Sequence, residues 1–430
     1  MKITRILRAG WLLAGGLSMS CGASPPPGAG QSGPCMSDIE CRGDDRICHE
    51  GRCRFLAEVR QELNDRDAAV AEANPADAAP TPIDSSAPER QVEIPMFMGA
   101  PTHHGRTAGR GPENAPSELW VYRTRSRVFA SPVVGSDGTI YVGSLDRTFA
   151  AVSPDGSIRW RHTGGDKFYS SAAIGEDGTV YVGCDDKKLL AFAPSGQLRW
   201  QRELRQHIDG SPVVHDGVIY VPADGLYAVT LRGEVAWHHA TAGHVRSSPA
   251  VHPDGFVIIG TPGGDLVAVG HDGQRRWATG LGASVDGSAS VAEDGTIYIG
   301  TDRGQLIALD PGGAVRWRYD TGDDIRATPA ISRDGTVIVG SYDRKVYAIA
   351  PDGQVRWTAE TEGRIRSSAR IDADGRIYVG SQDNHLYAFS PSGQLLWRHN
   401  LGQDIDSTVS IASDGTIYVG ADDGGLHALR

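Results

Sequence analysis

Tryptophan recurs at Trp120, Trp160, Trp200, Trp237, Trp277, Trp317, Trp357 and Trp397, spaced 40 residues apart except for one step of 37. A unit that short cannot bury a hydrophobic face by itself, so its copies must stack on one another. Each tryptophan is followed eleven positions later by Ser or Thr, namely Ser131, Ser171, Ser211, Ser248, Ser288, Thr328, Ser368 and Thr408. An Asp-Gly pair comes next in all eight copies, then a run such as "TIYVG", a polar turn such as "SLDR", and a third apolar run such as "LYAF". Asp-Gly between apolar runs is a strong hairpin signal, so each copy reads as a four-stranded antiparallel meander. The middle runs are apolar nearly throughout, as strands covered on both faces are. About 40 residues and four strands per repeat define a propeller blade.

The last copy stops at Arg430 after three strands, and an unmatched strand, "SELWVYRT", stands ahead of the first complete copy. Eight three-strand sets and eight tryptophan strands make an all-β, eight-bladed propeller of four-stranded antiparallel blades, closed by the strand around Trp120. Closure removes the edges an open sheet would expose. The short copy, between Trp200 and Trp237, loses its three residues from turns and keeps its strand lengths.

The elements "AVSPDGSIRW", "AFAPSGQLRW", "ALDPGGAVRW" and "AIAPDGQVRW", with the lead-in "MFMGAPTHHG", resemble the pyrroloquinoline-quinone-like (PQQ-like) propeller repeat family over residues 96–430. The resemblance implies the fold. For function it implies two branches, quinone-dependent dehydrogenases and non-enzymatic members similar to the outer-membrane assembly lipoprotein.

Upstream of the ring, residues 1–20 read as an export signal: Lys2, Arg5 and Arg8 precede an apolar run too short to span a bilayer. Small residues before Cys21 resemble a lipoprotein processing site, with simple secretion as the alternative. Residues 21–34 are then anchor and linker. Cys35, Cys41, Cys48 and Cys53 crowd into a short exported segment and read as a two-disulfide knot over 35–53, with the pairing open and zinc as the weaker reading. Residues 54–95, rich in Ala, Pro and acid, read as a flexible tether, 96–116 as a lead-in, and 117–430 as the propeller. Cys184 reads as a small buried side chain.

The formal net charge of -11 argues against nucleic acid or an anionic membrane as an electrostatic partner. No adjacent cysteine pair, nucleophile elbow, phosphate loop or H-E-x-x-H occurs. His103 and His104 point apart in extended chain, which suits loop packing better than a shared metal.

One register varies in an ordered way. Two places before each Ser or Thr stand Phe129, Tyr169, Asp209, Arg246, Asp286, Arg326, Arg366 and Asp406. These eight are expected around one mouth of the tunnel, either as a ring of ion pairs or as a ligand site. Arg326 and Arg366, like charges on adjacent blades, are expected to be unpaired and to combine with Tyr342, Asp343, Asn384 and His385 around an anionic or aromatic ligand. The opposite face, built of near-identical turns, is expected to offer a partner little to recognise. The reading is therefore a non-catalytic scaffold, a monomeric propeller tied to the membrane by its lipid alone, engaging an envelope protein or peptide and using no cofactor, metal or nucleic acid. A quinone-dependent oxidoreductase is the alternative.

Overall fold

The computed structural model describes the backbone of residues 46–49 and 52–55 and, in full, residues 94–430. The chain divides into two units, Met1–Pro88 and Glu89–Arg430. In the first, Arg46–His49 and Arg52–Phe55 pair antiparallel with Cys48 opposite Cys53. The segment read as an export signal, Cys21, Cys35, Cys41 and the chain between the hairpin and Ile94 lie outside the described residues.

The second unit is eight four-stranded antiparallel sheets. Seven are built from consecutive strands, the first from Val133–Val134, Ile140–Gly143, Thr148–Val152 and Ile158–Thr163. The eighth takes Ser410–Ile411, Ile417–Gly420 and Gly425–Leu429 from the C-terminal end and Glu118–Arg123 from the front, Tyr122 facing Leu426. The middle strands are buried along their whole length, because each blade is covered by a neighbour on both faces. Apolar side chains accordingly form clusters between adjacent blades rather than one central core, such as Tyr141, Phe149, Ile174, Val180 and Phe192 between the first and second.

Two rings of hydrogen bonds explain why the repeat keeps Trp and Ser/Thr. Seven of the eight repeat indoles donate Nε1–H to a carbonyl in the outer turn of the next blade, as Trp160 does to Pro194 at 2.9 Å and Trp317 to Pro351 at 2.8 Å. The glycine of that turn lies against the ring: Gly196, at φ +89°, would bring a Cβ to 2.5 Å from Trp160. Nearer the axis, the backbone N–H of each Ser or Thr donates to the hydroxyl of its counterpart one blade on, from Ser131 to Ser171 at 2.9 Å round to Thr408 and Ser131 at 3.0 Å. Among the described residues, seven of the eight steps carry this bond, the step from Ser288 to Thr328 being the exception.

The lead-in does not simply precede the ring. It starts two residues before the expected boundary, at Ile94, and runs inside the ring, hydrogen-bonding to the innermost strands in chain order: Ile94 with Val134, Pro95 with Ile174, Pro101 with Val251, Thr102 with Val291, His104 with Ile331, and Gly105 and Thr107 with Ile371. The Thr107 hydroxyl then reaches the Ile411 carbonyl at 3.0 Å. Seven blades are thus tied to one segment. Most of the residues opening the innermost strands are small, Ala173, Ala250, Ser290, Ala330 and Ser410, with Val133 and Val213 larger and the buried Arg370 the exception. Among the described residues no helix is long and apolar enough to cross a membrane.

Candidate functional site: the blind cup at the tunnel mouth

With the lead-in filling one end, the tunnel becomes a cup of about 490 Å3 open at the other. Phe97 of the lead-in lines it together with the Ser/Thr ring. All eight residues of the variable register, Phe129, Tyr169, Asp209, Arg246, Asp286, Arg326, Arg366 and Asp406, line it as well. They converge because each precedes the innermost strand of its blade by the same number of residues.

The charges are partly consumed. Arg246 lies between Asp209 and Asp286, at 3.6 and 3.4 Å, and His244 approaches Asp209 at 3.0 Å. Arg326 is not the unpaired cation expected: Asp302 stands 3.3 Å away and Asp324 3.4 Å away. Asp302 belongs to the second turn of the preceding blade, a cross-blade neighbour that reading one repeat at a time does not reveal. Arg366 differs. Among the described residues it has no carboxylate partner, and its guanidinium lies over the Phe129 ring at 4.5 Å, while Tyr169 meets Phe129 edge-on at 5.5 Å.

Of the second-turn residues expected to join Arg326, Tyr342 does, with Arg326 and Arg364 over its ring at 5.4 and 5.5 Å; in the next blade it is the Gln382 amide, not Asn384 or His385, that reaches the register, donating to Asp406 at 3.0 Å. Asp343 instead accepts the Tyr347 hydroxyl and the Gly322 N–H, Asn384 sits at φ +71° within its turn, and His385 bonds back to Asp383. The signal was available: position two of a four-residue turn points inward when positions three and four are spent closing it.

Several mouth carboxyls titrate high. Burial and then the charge of Asp406 push Asp422 up to about 6 despite Arg127 at 3.3 Å, and one of its oxygens is buried without a hydrogen-bond partner. Burial and the adjoining Asp209 raise Asp185 well above the usual carboxylate range. Below the floor, burial lowers His103 and His104 to about 4. His103 Nδ1 bonds to the Ala289 carbonyl at 3.1 Å, and His104 Nδ1 accepts the Arg106 N–H at 3.1 Å, so both are held by backbone. Cys184 is buried and its thiol is pushed up to about 12 by that burial, which leaves it an unreactive packing group.

Sheet closure, sealed floor and ordered mouth define a closed eight-bladed propeller with a blind axial cup. The chain belongs to the PQQ-like propeller repeat family: residues 148–292 and 270–424 match the family described as outer membrane protein assembly factor BamB. No curated protein matches the chain. Among solved structures it is similar to BamB from Moraxella catarrhalis, at 19% identity and TM-score 0.62, covering 73% of this chain and 99% of that one. It is also similar to the quinohemoprotein alcohol dehydrogenase of Comamonas testosteroni, at 15% identity and TM-score 0.67, covering 79% and 80%. The computationally designed Ika8 protein is similar too, at 17% identity and TM-score 0.63, covering 73% and 98%. These likenesses are of fold.

The dehydrogenases raise the question of a quinone and its cation. The residues present do not fit that pair. A tricarboxylate quinone needs several uncommitted cations, and of the arginines on the variable register Arg246 and Arg326 are each held between two carboxylates. Among the described residues no group of three or more His, Cys, Asp or Glu side chains is placed to hold a metal ion.

Proposed function

We propose that the chain is a non-catalytic scaffold of the cell envelope that receives a protein or peptide partner in the cup. The observation carrying this reading is the combination of a sealed floor with one uncommitted guanidinium: Arg366, stacked on Phe129, leaves its edge open to an incoming carboxylate. A planar guanidinium suits a carboxylate, and the aromatic wall of Phe129 and Tyr169 suits an apolar group beside it. A peptide end or an acidic loop presents both. The family description, which names an outer membrane assembly factor, supports an envelope setting, as do the export signal and Cys21.

The rival chemistry has a direct test. Pyrroloquinoline quinone with calcium is added to purified protein, and the absorbance of bound quinone and dye reduction with alcohols are followed. The scaffold reading expects neither. Stoichiometric quinone with turnover would overturn it.

A further inference from the structure

The face of Asp-Gly turns is uniform in its turns but not in the spaces between blades. In six blades a tyrosine of the second strand packs against the tryptophan of its own blade: Tyr141, Tyr181, Tyr220, Tyr298, Tyr378 and Tyr418 lie 5.8 to 6.0 Å from the respective indoles. The fourth blade has Ile258 there and compensates with Phe256, which stacks on His252 at 4.2 Å and meets Trp277 at 6.1 Å. The sixth blade has Ile338 and Thr336 at these positions, with no aromatic substitute.

A cavity of about 320 Å3 opens there, between the sixth and seventh blades. Its apolar wall is Ile338, Trp357, Ile371, Ile377 and Pro391, and its polar end is Thr336 with the ion-paired Asp334 and Arg356. Ile371 and Ile377 correspond in the repeat to Ile174 and Val180, which cluster with Tyr141 between the first and second blades. The polar end corresponds too. Thr139, Thr179 and Thr296, the counterparts of Thr336, sit beside Tyr141, Tyr181 and Tyr298 and temper the upward push that burial gives those phenols. In the sixth blade the Thr336 hydroxyl donates to Asp334 at 2.8 Å, leaving its lone pairs for a phenol.

We propose that this slot binds a tyrosine side chain of another polypeptide, its ring against Trp357 and its hydroxyl toward Thr336. The ligand class is fixed by the molecule itself, which fills the equivalent space with a tyrosine in six of its own blades. Residues 1–93 contain no tyrosine, so none of them supplies the phenol. The slot is reachable, since Arg333, Asp334 and Arg356 at its rim are exposed.

The test uses p-cresol, toluene and the peptide acetyl-Gly-Gly-Tyr-Gly-Gly-amide in saturation-transfer NMR with the full chain. The expected result is transfer to the p-cresol ring and to the peptide's tyrosine ring, weaker transfer to toluene, and loss of all three with Ile338→Tyr, which fills the slot from within. Ile338→Phe serves the same purpose if the tyrosine variant does not fold. Thr336→Val is expected to erase the preference for p-cresol over toluene. Transfer unchanged in the filled variants, no transfer in the wild type, or binding of p-cresol without the peptide would each overturn the proposal.

Discussion

The indole of Trp397 donates to the carbonyl of Pro112 at 3.0 Å, across 285 residues of sequence. In the seven other blades that acceptor belongs to an outer turn of the next blade. The eighth blade has no such turn, because its third and fourth strands come from opposite ends of the propeller. The lead-in supplies the missing carbonyl just before the chain enters the closing strand, and so it both fills the tunnel and completes the outer ring.

A chain beginning at Glu89 should therefore fold as a stable monomer. A chain beginning at Ser117 keeps all thirty-two blade strands but loses the backbone bonds to six blades, the Thr107 hydroxyl bond to a seventh and the partner of Trp397. It should melt at least 10 °C lower, and a chain beginning at Arg125, which also exposes the Gly425–Leu429 edge, should aggregate. Differential scanning calorimetry and size-exclusion chromatography check both. Equal melting of the first two chains would mean the lead-in is only packed against the ring.

The inner hydroxyl ring gives a paired comparison. Ser368→Ala leaves the buried Thr328 N–H without its acceptor and should cost about 1–3 kcal/mol in urea unfolding. Thr328→Val removes a hydroxyl that accepts no bond from Ser288 among the described residues, and should cost less than half as much.

Acid should loosen the tunnel. His103 and His104 titrate near 4 in the folded chain, against 6.5 when unfolded, so between those values the unfolded state binds more protons. Stability then rises with pH through that window and falls as pH drops from about 6.5 toward 4, by roughly 1.4 kcal/mol per pH unit for each histidine. His103→Asn, which tolerates the φ of +57° at this position, should reduce the slope by one proton's worth. An unchanged slope would mean His103 is not held neutral.

Blade number, strand order and the closing strand were legible in the sequence because a strict period leaves no freedom in register. The mouth register from Phe129 to Asp406 was legible for the same reason. The path of residues 94–112 was not, since its bonds run through backbone groups and leave no periodicity in side chains. The pairing of Arg326 with Asp302 was also hidden: it joins different positions of neighbouring repeats, whereas reading down the repeat compares like positions only. The turn face is uniform in its turns but not in the column of tyrosines behind them, where Ile258 and Ile338 stand instead and only Ile258 has an aromatic neighbour, Phe256, in its place.

Site-specific photocrosslinking tests the scaffold account most directly. A photoreactive residue replaces Tyr169 in the cup, or Gln197 in an outer turn of the opposite face away from the slot between the sixth and seventh blades, in cells expressing the full chain. The account predicts a discrete adduct from position 169, absent from position 197 and lost when Arg366→Gln is added to a protein whose melting temperature is unchanged. Adducts of equal intensity from both faces, or an adduct from position 169 that survives Arg366→Gln, would contradict it.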